Sequence, residues 1–118
     1  MKKEFVTVKK DELIETVKSI VDKPHRLAAI SGVDNGETVE VLYHFDLIEK
    51  FVTLRVVLDK ENKTVSSITP LVPAATLYER EVSEMFGVNM EGHPSPGRLF
   101  TPDKYSGEPP LLKKSSGV

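Results

Sequence analysis

The stretch Val39-Glu40-Val41-Leu42-Tyr43-His44-Phe45, followed shortly by Phe51-Val52-Thr53-Leu54-Arg55-Val56-Val57-Leu58, decides the fold. Successive side chains of a strand point to opposite faces. Val39, Val41, Tyr43 and Phe45 therefore share one face, and Glu40, Leu42 and His44 the other. In the second run Val52, Leu54, Val56 and Leu58 face one way, and Thr53 and Arg55 the other. Two such runs, close in sequence, read as antiparallel neighbours in a sheet with one buried face.

The flanking sequence extends this sheet. Arg26–Val33 is a short strand, and Asp34-Asn35-Gly36-Glu37 carries the Asn-Gly pair of a tight hairpin turn, whose two central residues take positive φ. Asp59–Lys63 is a polar turn, and Thr64–Thr69 a fourth, weaker strand. Upstream, Leu13, Ile14, Val17, Ile20 and Val21 recur at spacings of three and four, the pattern of an amphipathic helix. Asp11 and Glu12 suit its N-terminus, and Pro24 ends it. Phe5, Val6 and Val8 form a short first strand or extended lead-in. The expected fold is α+β, an antiparallel sheet of about four strands with one helix packed on it.

Composition narrows the function classes. The chain has 118 residues, enough for one small domain, and its net charge of -2 counts against a nucleic-acid surface. It contains no Cys, which excludes cysteine-ligated iron–sulfur clusters, cysteine zinc sites and disulfides. No apolar run approaches a membrane span, and the N-terminus lacks the apolar core of a signal peptide. There is no phosphate loop or dinucleotide fingerprint. A soluble, cytoplasmic chain is expected.

Beyond Thr69, Pro73 suits the first position of a second helix, which runs to about Phe86 and stops at Gly87. At about 100° per residue, Ala75, Tyr78, Val82, Met85 and Phe86 gather into an apolar stripe. Glu79 and Glu81 fall at its two margins, while Arg80 and Glu84 lie four apart and can pair. The two margin carboxylates diverge by roughly 160°, which disfavours their converging on one bond as a catalytic pair. Two readings stay open: a surface helix packed on its own sheet, and a docking helix whose acids meet partner donors between apolar anchors.

The histidines do not show metal-ligand spacing. His44 reads as solvated on a polar strand face, His25 as structural in a connection, and His93, between Gly92 and Pro94, as a loop residue bonding to backbone. After Gly87, Pro94, Pro96, Pro102, Pro109 and Pro110 imply extended chain. Leu99, Phe100, Tyr105, Leu111 and Leu112 are more apolar content than a solvated tail carries, so this segment is expected to lie against a partner. The expected division is an α+β domain over 1–90 and an extended docking tail over 91–118.

Glu79-Arg80-Glu81-Val82-Ser83-Glu84-Met85-Phe86-Gly87, with Gly92-His93-Pro94 and Arg98-Leu99 downstream, resembles the motif of the thirty-kilodalton (30 kDa, or C-type) subunit of respiratory complex I. That family includes the equivalent small hydrophilic subunits of energy-converting, membrane-bound nickel–iron hydrogenases. The match covers about Pro73 to Leu111; Pro96-Gly97 departs from it where relatives often carry a further basic residue. The resemblance implies a non-catalytic subunit that binds no cofactor itself. It would dock on the large catalytic subunit, which bears the quinone site or the nickel–iron centre, among other hydrophilic-arm subunits that carry iron–sulfur clusters. It implies attachment to the cytoplasmic face of the membrane through the complex, with no span of its own and no nucleic-acid partner. The short chain tilts the expectation toward a hydrogenase-like, archaeal or anaerobe complex. By the same resemblance the docking residues are Tyr78, Glu79, Arg80, Glu81, Glu84, Met85, Phe86, Gly87, Gly92, His93, Pro94, Arg98 and Leu99. Glu79 and Glu81 would bond across the interface, Arg80 would pair with Glu84, Met85 and Phe86 would fill an apolar pocket, and His93 and Arg98 would position the tail. The competing expectation is a stand-alone small-ligand-binding or hydrolytic domain using Glu79, Glu81 and His93.

Overall fold

The computed structural model describes residues 2–94. The elements are β1 (Lys2–Thr7), a 3-10 turn (Lys10–Glu12) leading into α1 (Leu13–Val21), β2 (Arg26–Asp34), β3 (Thr38–Asp46), β4 (Lys50–Asp59), β5 (Thr64–Ser66), α2 (Ala75–Phe86) and β6 (Asn89–Glu91). The main sheet has the order β1-β4-β3-β2. At its centre β3 and β4 pair antiparallel, with Val39 opposite Leu58, Val41 opposite Val56, Tyr43 opposite Leu54 and Phe45 opposite Val52. All of these side chains are buried, together with Leu13, Val17 and Ile20 of α1. The period-two reading of the two runs therefore describes the core directly.

The α+β architecture is as expected, with two differences of detail. The Phe5–Val8 lead-in is a full sheet member, because β1 pairs with β4 in parallel, from Lys2 opposite Lys50 to Thr7 opposite Arg55. The sheet is thus mixed rather than wholly antiparallel. The chain leaves β1, crosses through α1 to β2 at the far edge and returns by hairpins, so the fourth strand comes to lie beside the first. Thr64–Ser66, expected as a strand of this sheet, belongs to a second, two-stranded sheet with β6, whose strands run parallel with α2 between them. Parallel strands need such a crossover. Just past β5 the Ser67 amide still donates to the Glu91 carbonyl of β6, and the Ile68 amide turns to the Glu79 carboxylate.

Two local features redirect side chains. A bulge between Leu27 and Ala29 shifts the register of β2, so Leu27 and Ile30 are both buried although three apart. The β2–β3 hairpin also differs from the expected two-residue turn. Asp34 and Thr38 bound a three-residue connection in which Gly36 alone takes positive φ, at 96°, and its amide donates to the Asp34 carboxylate. Three-residue hairpin loops place one residue, not two, in the left-handed region.

The second helix is seated on β2 by a size match. The Phe86 ring lies directly over Gly32, where an added Cβ would come within 2.5 Å of the ring. On the opposite face of the sheet His44 bridges three strands: its ring nitrogens lie 3.0 Å from Ser31 Oγ on β2 and 2.9 Å from Thr53 Oγ1 on β4. It also stacks on Phe51. The expected solvated histidine is instead a half-buried cross-strand tie, because Thr53 lies directly opposite it on β4 and Ser31, two residues along β2 from its partner Ala29, brings a second hydroxyl within reach. Burial holds its pKa below the ordinary histidine value.

Two outcomes are expected. Gly32→Val forces a branched side chain into the Phe86 ring and lowers unfolding stability by about 1–3 kcal/mol in a urea titration; Phe86→Ala in the same chain relieves the clash, so the two changes are non-additive. For His44, the depressed folded value means the neutral ring is favoured in the fold. Its stabilising contribution is fully present above the unfolded value of about 6.5 and is lost as pH falls through the folded value. The pH dependence of the urea midpoint should therefore flatten in that acid window in His44→Gln, and the His44 resonance should titrate below the ordinary range.

Candidate docking surface

The buried positions of α2 are Ala75, Glu79 and Val82, with Tyr78 and Phe86 packed partly against the core. Ala75, Glu79, Val82 and Phe86 follow the spacing i, i+4, i+7, i+11, one continuous inward stripe. Glu79 stands in the middle of it, 0% exposed. Its carboxylate accepts the Ser67 hydroxyl at 2.6 Å and the Thr69 hydroxyl at 2.9 Å on Oε1, and the Ile68 amide at 2.7 Å on Oε2. A buried carboxylate is tolerated when hydrogen bonds replace its hydration. Burial, and then the charge of Glu79, push the Tyr43 phenol well above its ordinary range.

The Gly-His-Pro turn closes against the same helix. Gly87 ends α2 in the left-handed conformation, with its amide bonded to Ser83, as the glycine stop predicts. The chain then passes through β6, turns at Gly92 with φ at 84°, and brings His93 back over the start of the helix. His93 Nε2 donates to the Thr76 carbonyl at 2.9 Å and lies 3.9 Å from Glu79 Oε1. Its side chain is 5% exposed. The backbone-bonding reading of His93 is the one observed.

The outward side of the same helix is different in kind. Leu77, Glu81 and Met85 recur four apart and share an exposed line; Leu77 is 67% and Met85 46% exposed. Lys63 meanwhile donates to the Phe86 carbonyl and satisfies the helix C-terminus. The result is a helix fixed on one side and carrying an apolar–acidic–apolar line on the other.

The expected site residues therefore divide. Glu81 and Met85 are exposed, and Arg80 and Glu84 are half-buried beside them. Arg80 is held by an interaction of its own. Glu79 is corrected from a margin residue to an internal one, since three donors from the β5–α2 connection claim its oxygens. Phe86 is corrected likewise: it fills the niche above Gly32 of its own chain. Tyr78 packs partly against the core, Gly87 and Gly92 shape the turns, and Pro94 is exposed. Arg98, Leu99 and most of the expected tail lie outside the described residues. Leu77, absent from the wheel's apolar stripe, is the residue the sequence reading missed; its signal is the four-residue spacing to Glu81 and Met85.

Among the described residues no group of three or more His, Asp or Glu side chains is placed to hold a metal ion, and no helix is long and apolar enough to cross a membrane.

Comparison with known proteins gives a consistent relationship. The family model described as respiratory-chain NADH dehydrogenase, 30 Kd subunit, matches residues 6–117. The C subunit of the NADH-quinone oxidoreductase of Saccharopolyspora erythraea is 34% identical over 112 residues, covering 86% of this chain and 45% of the relative. That of Moorella thermoacetica is 33% identical over 110 residues, covering 88% of this chain and 74% of the relative. The C/D subunit of the Methylococcus capsulatus enzyme is 32% identical over 111 residues, covering 83% of this chain and 19% of the relative. The chain thus spans less than half of the first relative and a smaller part of the C/D protein. Among solved structures, the trypsin-resistant fragment of Nqo5 superposes with a TM-score of 0.69 at 26% identity, covering 76% of this chain and 80% of that one. A chain of an archaeal respiratory membrane complex, the membrane-bound sulfane sulfur reductase, superposes with a TM-score of 0.76 at 22% identity, covering 91% and 67%. This last likeness is one of fold.

Removing the internal carboxylate is expected to be costly. Glu79→Leu leaves three donors facing an apolar side chain and should lower unfolding stability by about 3 kcal/mol, read as a shift of the urea midpoint. Glu81→Leu, on the exposed line, should change it by less than about 0.5 kcal/mol. Equal effects at the two positions would contradict the inward assignment of Glu79.

Proposed function

Because the chain belongs to the 30-kDa subunit family of respiratory-chain NADH dehydrogenases, we propose that it is a non-catalytic, C-type subunit of a membrane-associated electron-transfer complex. The complex is of the NADH:quinone oxidoreductase or energy-converting hydrogenase type. The chain docks on the large subunit that carries the quinone site or nickel–iron centre and sits on the cytoplasmic face through that contact. The C/D relatives support this choice of partner, since one polypeptide that is both C and D keeps the two parts adjacent.

The observation that carries the proposal is the exposed line Leu77, Glu81, Met85 on a helix whose other side is locked in place. Exposed Leu and Met side chains supply apolar anchors, a single carboxylate between them supplies specificity, and a pre-ordered helix loses little entropy on binding. Leu77 and Met85 would be the anchors, Glu81 would meet a donor of the large subunit, and the segment after Pro94, with Arg98 and Leu99, would continue the contact. Iron–sulfur clusters and the quinone or nickel–iron site would reside in the partner subunits. The alternative hydrolytic reading is disfavoured by geometry. Glu79 and His93 do approach each other, but both are buried and spent on internal hydrogen bonds, and Glu81 points away from them.

The test is purification of the tagged chain from native membranes, with mass spectrometry of the chains recovered with it. A large quinone-site or nickel–iron-type subunit is expected. The double change Glu81→Lys and Met85→Asp should reduce its recovery by about tenfold or more while leaving the melting temperature of the isolated chain unaltered. Recovery of the chain alone, or unaltered recovery by the double variant, contradicts this reading.

A further inference from the structure

The two edges of the main sheet are not alike. The β2 edge is interrupted by the bulge at Ala28 and flanked by α2, features that discourage strand pairing. The β1 edge is regular: six consecutive residues pair with β4 without interruption. The orientation of its free side follows from one bond. The Val8 amide donates to the Arg55 carbonyl at 2.9 Å. Because a strand alternates the direction of its backbone groups with period two, the amides and carbonyls of Val6 and Glu4 also turn toward β4. Those of Lys3, Phe5 and Thr7 point away from the sheet.

That outward row is accompanied by apolar side chains on both faces of the strand. Phe5 is 62% exposed, with the Arg55 guanidinium 6.0 Å from its ring centroid on the solvent face of the sheet. Val6 is exposed on the opposite face. At the beginning of the strand Lys50 pairs with Glu4 at 3.1 Å, whereas Lys2 and Lys3 are in no ion pair among the described residues. Among the described residues, a backbone row without a strand partner, apolar side chains on both faces and positive charge without an ion pair at one end together describe a template for an incoming strand.

Resting on the docking role above, we infer that β1 is a second contact, at which an extended segment of a neighbouring subunit adds to the sheet as a fifth strand. The occupant is a polypeptide strand with acidic side chains opposite Lys2 and Lys3 and apolar ones beside Phe5 and Val6. Its backbone bonds to Lys3, Phe5 and Thr7, and its side chains cover Phe5 and Val6.

The experiment compares the free full-length chain with the intact complex isolated from native membranes, by hydrogen–deuterium exchange read at single residues and by oxidation of Met85. The amides of Lys3, Phe5 and Thr7 should exchange rapidly in the free chain and slow by about tenfold or more in the complex. Thr7→Pro removes one outward amide and none that the sheet itself uses. It should leave the urea midpoint of the free chain in place and reduce the recovered complex by about tenfold. If those three amides remain fast in the complex while Met85 becomes shielded, strand addition is overturned and docking through α2 stands. If neither site is shielded in the complex, both readings fail. Should Thr7→Pro unfold the free chain, the exchange of the unaltered chain still decides.

Discussion

A carboxylate removed from water must have its oxygens answered by donors, or the surface that covers it opens. Glu79 meets that requirement with the Ser67 and Thr69 hydroxyls and the Ile68 amide. These donors come from the segment joining β5 to α2, and His93 closes the site from the far side of β6. One buried side chain therefore ties the segment after β5 to the first turns of the helix, and the Gly-His-Pro turn packs beside it. Hydrophobic contact alone would hold α2 to the sheet at Val82 and Phe86, but contact of that kind is non-directional. The hydrogen bonds to Glu79 set which way the helix faces.

The rotation of α2 has a functional consequence. With Glu79 inward, Leu77, Glu81 and Met85 are turned outward together, and the expected docking face shifts around the helix from the stripe that polarity alone suggests. A separate bond holds the Gly-His-Pro turn, because the His93 ring donates to the Thr76 carbonyl. Helix face and Gly-His-Pro turn are thus both fixed at the first turns of α2.

What the sequence revealed and what it concealed follow from the range of the physics. The β3–β4 pair was readable because alternation over Val39–Phe45 and Val52–Leu58 is local. The glycine stop at Gly87 and the proline stop at Pro24 were readable for the same reason. The parallel pairing of β1 with β4 was not, since it joins segments separated by the whole of α1, β2 and β3. The bulge that puts Leu27 and Ile30 on one face left no mark in the alternation. Glu79 reads as a margin residue because a helical wheel sorted by polarity keeps a glutamate out of the apolar stripe. The clue lay in spacing, with Ala75, Val82 and Phe86 framing it and hydroxyl residues at 67 and 69 able to receive it. Phe86 was assigned to a partner because nothing local says that Gly32 leaves room for its ring.

The most direct measurement of the Glu79 tie is the exchange rate of the Ile68 amide in the isolated chain. It lies beyond the end of β5, in a connection where a free amide would exchange at loop rates. If the Glu79 carboxylate holds the helix as described, that amide exchanges only with global unfolding, at the rate of core amides such as that of Val41. Exchange at the rate of an exposed loop would show that the carboxylate does not hold it, and the orientation of α2 would need another cause.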